Sequence, residues 1–173
     1  MRIKILREEY CARCKIKAFR STGVKLLLQS VKEPPRRVLD FGCSTWRNSK
    51  YLEDLGAYVV KADAFPDSKP DIIAYPAYMP VRDSVFDVVL FTHIFMFLES
   101  KRDWPTVAEE LKRITRKYIV VETYRVKNRN ALEYSPEEVE NLFTDLVKIK
   151  RHARRDMQNY VFMKEVSTKD SSI

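Results

Sequence analysis

Asp40, Gly42, Asp63, His93 and Glu122 are the positions of this chain whose residue types and spacing could do chemistry. The run from Arg37 to Asn48 reads as a buried strand, a tight turn formed by Asp40 and Gly42 with Cys43 in it, and the opening of a helix at Arg47. A strand entering a helix through a glycine turn is the ligand-holding corner of a doubly wound sheet. Its N–H groups and positive helix end are brought close to an anionic or polar group. Glycine-rich versions of the corner would have glycine at positions 44 and 46 as well, where this chain has Ser44 and Trp46. Imidazole titrates near neutrality, so His93 suits a general base, while a cap or core histidine is the plainer role. Glu122 closes an apolar strand and either faces a pocket or pairs with a basic neighbour.

The elements that must position these residues follow from punctuation and periodicity. Residues 7–31 read as helix, with Ile16, Phe19, Leu26, Leu27 and Val31 as its apolar stripe, Gly23 as a potential break and Pro34-Pro35 as its end. Strands are expected at 37–41, 58–62, 71–75, 86–92, 118–122, 146–151 and 160–166. Helices are expected at 48–55, closed by Gly56, at 104–115 and from Ser135, which supplies a cap with proline at the first helical position. The expected fold is α/β: a Rossmann-like, doubly wound, seven-stranded and mainly parallel sheet with a C-terminal antiparallel hairpin and helices on both faces. Residues 1–33 form a basic helical extension, 34–166 the main domain and 167–173 a polar tail.

Composition narrows the functional classes. The longest apolar stretch, 85–98, is interrupted by Asp87 and His93 and is too short to span a bilayer. No apolar segment follows the first residues, so the expected location is cytoplasmic. Cys11 and Cys14 lack a second pair to complete a zinc set, and Cys43 reads as packing. The net charge of +8 is uneven: residues 1–36 carry ten Lys/Arg against three acids, and Lys148, Lys150, Arg151, Arg154 and Arg155 bunch near the end. These patches could contact RNA or DNA, and a solvated helix face is the plainer alternative.

The chain resembles the class I S-adenosylmethionine-dependent methyltransferases from Pro35 to Val166. The likeness rests on Asp40-Phe41-Gly42, on Asp63 at the tip of the second strand, on Met79-Pro80, and on Ser84 to Val89. Cys43 and the run from Arg47 to Leu52 are similar to tellurite-resistance-type and related small-molecule enzymes. The resemblance implies S-adenosylmethionine as cofactor, held by Asp40, Phe41, Gly42, Cys43, Ser44, Asp63, Ala64, Pro76, Ala77 and Thr92, with Asp63 on the ribose hydroxyls. A carboxylate suits that task because it accepts two hydrogen bonds at once. It further implies His93 and Glu122 as catalytic candidates, with Tyr124 nearby. Tyr75 stands where many relatives place an acid for the adenine amine.

No Asn/Asp-Pro-Pro-aromatic run follows the fourth strand and no Pro-Cys dipeptide occurs, which disfavours amino methylation or C5 methylation of a nucleic-acid base. The methyl acceptor stays open. The rival expectation is an inactive methyltransferase-fold binding module that contacts nucleic acid through its basic arm; a nicotinamide oxidoreductase fits less well.

Overall fold

The computed structural model describes residues 20–124, with Tyr124 as backbone only, and 131–165. The extension's first nineteen residues, Cys11 and Cys14 among them, and the 167–173 tail lie outside the described residues. In chain order the elements are α1 (Thr22–Ser30), β1 (Arg37–Phe41), α2 (Arg47–Asp54), β2 (Tyr58–Asp63), β3 (Ile72–Ile73), β4 (Phe86–Thr92), α3 (Trp104–Ile114), β5 (Thr115–Tyr124), α4 (Pro136–Asn141), β6 (Val147–Arg154) and β7 (Met157–Met163). Short 3-10 turns occupy Pro66–Ser68, Phe95–Phe97 and Lys101–Asp103.

The seven strands form one sheet in the order β3-β2-β1-β4-β5-β7-β6. β1 to β5 are parallel, and β7 runs antiparallel between β5 and β6. Pleat alternation divides the core. Val88 and Leu90 join Val38, Val59, Val120 and Val161 beneath Val24 and Leu27 of α1 and Leu52 of α2. Val89 and Phe91 turn the other way, onto Val107, Leu111 and Ile114 of α3 and Val139 of α4. β4 is buried along its whole length because both its faces are covered.

Several boundaries differ from the sequence expectation. The hairpin extends to Arg154 and restarts at Met157, because Arg155 takes a left-handed φ of 51° and turns the chain within two residues. The strand expected at 71–75 pairs only over Ile72 and Ile73. Ser21 is extended and its hydroxyl accepts a hydrogen bond from the Val24 N–H, so the described helix starts at Thr22 and Gly23 lies in its first turn. The helix is part of the fold: Val24 and Leu27 are fully buried against the sheet, so a boundary at residue 33 does not separate it from the domain.

Gly23 explains how closely α1 approaches. A Cβ there would lie 2.6 Å from Val120 Cγ1 and 3.0 Å from Glu122 Cγ. Only a residue without a side chain lets the helix N-terminus settle on β5 at this depth.

Candidate functional site

The C-terminal ends of β1, β2, β4 and β5 gather the candidate residues. Asp40 is buried and accepts a 2.6 Å hydrogen bond from Ser49 Oγ of α2. Burial pushes its carboxyl up to about 6, against the hydrogen bonds from Ser49 and the charge of Arg47. Gly42 and Cys43 N–H groups both donate to Ala62 O, at 2.8 and 3.2 Å, which ties the turn to β2. Asp63 completes the tie. Its Oδ2 accepts from Ser44 N–H at 3.2 Å and its Oδ1 from Phe65 N–H at 3.1 Å.

The backbone keeps left-handed geometry at all the glycine positions of the corner. Gly42, Ser44 and Trp46 have φ of 75°, 42° and 61°. Ser44 and Trp46 thus adopt a conformation that usually selects glycine. The Trp46 indole lies on the neighbouring turn, where Nε1 donates to Ser68 O at 2.8 Å and Lys61 Nζ stands 5.6 Å from the ring centre. Of the places open to this indole, the structure selects the 66–68 turn, on the side of β2 that α2 covers.

Cys43 is buried, and burial together with the charges of Asp40 and Asp63 pushes its thiol up to about 12. Such a thiol stays protonated and packs. The Phe41 ring is in the core, so only its backbone faces the corner. Ala64 is half-buried just past Asp63. Pro76 and Ala77 are buried in a turn closed by the Tyr78 N–H on Tyr75 O, and Ala74 N–H donates to Asp63 O at 3.0 Å. This turn therefore leaves from the same edge as the Asp63 corner. Tyr75 is exposed.

On the β4–β5 side the structure brings His93 and Glu122 together. His93 N–H donates to Glu122 O at 2.7 Å, continuing the ladder past Thr92. The left-handed φ of His93, 62°, then swings its ring so that Nε2 stands 3.6 Å from Glu122 Oε2. Burial lowers the imidazole pKa, Glu122 opposes the shift and Arg47 adds to it. Glu122 is 1% exposed, and its Oε1 accepts from Gly23 N–H at 2.6 Å. The carboxylate therefore sits at the positive end of α1.

Sequence reasoning read Gly23 only as a helix break and missed Ser21, Asn48, Ile94 and Asn159. Asn48 Oδ1 accepts from Ser21 N–H at 2.9 Å, locking the start of α1 to the start of α2. Ile94 Cδ1 lies 2.2 Å from where a Cβ on Gly42 would be. Ser21 followed by Gly23 is a visible helix-start signal, but nothing local points to their partners far along the chain.

The acceptor groups of the corner suit a ligand bearing a diol. Trp46 makes no side-chain cap to α2; the Asp40 carboxylate instead takes hydrogen bonds from the hydroxyl and backbone N–H of Ser49 in its first turn. Asp63 uses two of roughly four acceptor positions on backbone N–H groups and keeps the others. Ile94 meets Gly42 with the end of a flexible side chain, which can rotate.

Residues 39–119 match the family described as methyltransferase domain. Similar solved structures include the PH0226 protein of Pyrococcus horikoshii OT3, with TM-score 0.70 and 16% identity over 82% of this chain and 87% of that one. The 1,6-didemethyltoxoflavin-N1-methyltransferase of Burkholderia thailandensis, solved with 1,6-didemethyltoxoflavin and S-adenosylhomocysteine, has TM-score 0.71 and 13% identity over 86% and 79%. The N-methyltransferase NodS of Bradyrhizobium japonicum WM9, solved with S-adenosylhomocysteine, has TM-score 0.69 and 13% identity over 82% and 84%. No curated protein matches the chain. The fold is thus that of these methyltransferase structures, as the sequence resemblance implies. Among the described residues no helix is long and apolar enough to cross a membrane.

Proposed function

We propose that this protein is an S-adenosylmethionine-dependent methyltransferase, with its cofactor at the Gly42–Asp63 corner and its acceptor on the His93–Glu122 side. The observation that carries the reading is the corner itself: a left-handed turn at Gly42, Ser44 and Trp46 and the buried Asp63 carboxylate at the tip of β2. When bound, the cofactor supplies a methyl group already activated by its sulfonium. What remains for the protein is to align acceptor and methyl group and to exclude water. Asp63 offers acceptor positions to the ribose hydroxyls. His93, neutral through burial, is placed to take the proton that the acceptor loses, and Glu122 stabilises the resulting imidazolium across 3.6 Å.

Calorimetric titration with S-adenosylhomocysteine tests the reading. Binding at micromolar ligand, weakened about 30-fold or more in Asp63→Ala, is the expected result; each lost charge-assisted hydrogen bond is worth about 1.5–3 kcal/mol. Absence of binding at millimolar ligand in a folded protein rejects it.

A further inference from the structure

Glu122 and Asn159 are directly opposite on the antiparallel strands β5 and β7, so their side chains share a face of the sheet. That face is the one α1 covers: Gly23 of α1 abuts Glu122, and Val161, two residues beyond Asn159, packs in the cluster of Val24 and Leu27. Both residues are 1% exposed. Each has one oxygen, Glu122 Oε2 and Asn159 Oδ1, that is buried and accepts no hydrogen bond.

Reorienting the amide does not remove the problem. Asn159 Nδ2 donates to His152 O at 3.1 Å, and turning the amide over would set its oxygen against that carbonyl. Glu122 has its other oxygen committed to Gly23 N–H. His93 Nε2, at 3.6 Å, is beyond hydrogen-bond reach of Oε2. Two buried acceptors, one of them on a carboxylate, thus belong to residues paired on neighbouring strands, and each calls for a donor. The neutral state favoured for His93 leaves the Glu122 charge without an imidazolium partner. Arg47, whose charge reaches His93, makes no ion pair with Glu122 among the described residues. The side chain of His93, beside Glu122, is 20% exposed where that of Glu122 is 1%.

We propose that Glu122 and Asn159 recognise a cationic nitrogen group, an ammonium or amidinium, on the acceptor molecule, beside His93. The word acceptor rests on the methyltransferase reading; the recognition of a cationic nitrogen does not.

The chain has two histidines, so histidine-selective 15N labelling gives a simple nuclear magnetic resonance readout. The probes are benzylamine, benzamidine and, as an uncharged control, benzyl alcohol. The expected result is a saturable shift of the His93 ring nitrogens with either cation and none with the alcohol. Glu122→Gln retains an acceptor for Gly23 N–H while removing the charge, and should weaken the cations about tenfold or more. Asn159→Asp adds a negative charge and should tighten them; it serves as the second test should Glu122→Gln fail to fold. Equal responses to amine and alcohol, no saturable response to either cation, or unchanged affinity in the variants would overturn the proposal and leave the acceptors to ordered water. S-adenosylhomocysteine calorimetry on the same samples separates the two readings. Nucleoside binding without a cation response rejects the recognition site alone, and a cation response without nucleoside binding rejects methyl transfer alone.

Discussion

The Gly23 N–H group donates to Glu122 Oε1 at 2.6 Å across 99 residues of sequence. This bond seats the first turn of α1 on the end of β5 and fixes the carboxylate beside His93. The absence of a side chain at residue 23 and the presence of an acid at residue 122 are one structural arrangement.

Gly23→Ala should destabilise the fold by about 1–3 kcal/mol, the usual range for overpacking a tight contact. Its Cβ would meet Val120 Cγ1 at 2.6 Å. Urea unfolding followed by circular dichroism measures the loss, and a variant as stable as wild type would show that α1 docks more loosely than described.

Gly42→Ala meets two penalties, a left-handed φ of 75° and Ile94 Cδ1 at 2.2 Å from the new Cβ. Ile94→Ala in the same background should recover the steric part and leave the backbone part, about 1–2 kcal/mol. A double-mutant cycle on unfolding free energy reads the coupling; strict additivity would contradict the contact.

Trp46→Gly removes an indole from the 66–68 turn and relaxes a left-handed position, so its two effects on stability oppose each other. Because the indole lies on that turn, S-adenosylhomocysteine affinity should change by less than about fivefold, roughly 1 kcal/mol. A larger loss in calorimetry would place the ring in the binding site.

Asp40 sets a pH dependence. Its folded pKa of about 6 exceeds the ordinary value of 3.8, so the folded state holds the proton more tightly than the unfolded chain. The stability it contributes is fully present below pH 3.8 and is lost as pH rises through about 6. Asp40→Asn should therefore gain on wild type across that window, by an amount on the order of 2–3 kcal/mol between its ends. Unfolding free energies at pH 4 and pH 7 check the sign, and a constant difference would refute it.

Local signals carried the sequence reading far. β4 was legible at its observed limits, 86–92, because an apolar run buried on both faces needs no partner to be recognised. Ser135 and Glu138 form the capping box at the start of α4, and Gly56 has the left-handed φ, 87°, expected after α2. The β1–α2 corner and Asp63 were visible for the same reason: a strand, a turn and a helix start are written in adjacent residues.

Tertiary structure decided what those residues face. Sequence offers His93 and Glu122 as separate candidates; the parallel pairing of β4 with β5 brings them to 3.6 Å. Nothing near Trp46 says which way an indole leaves a left-handed position, and its hydrogen bond to Ser68 depends on where β2 ends relative to β1. Asn159 reads as an ordinary polar hairpin residue until antiparallel register sets it opposite Glu122 beneath α1. Burial and partnership across long separations arise from strand order and register, and a one-residue shift in register would turn each of these side chains to the other face.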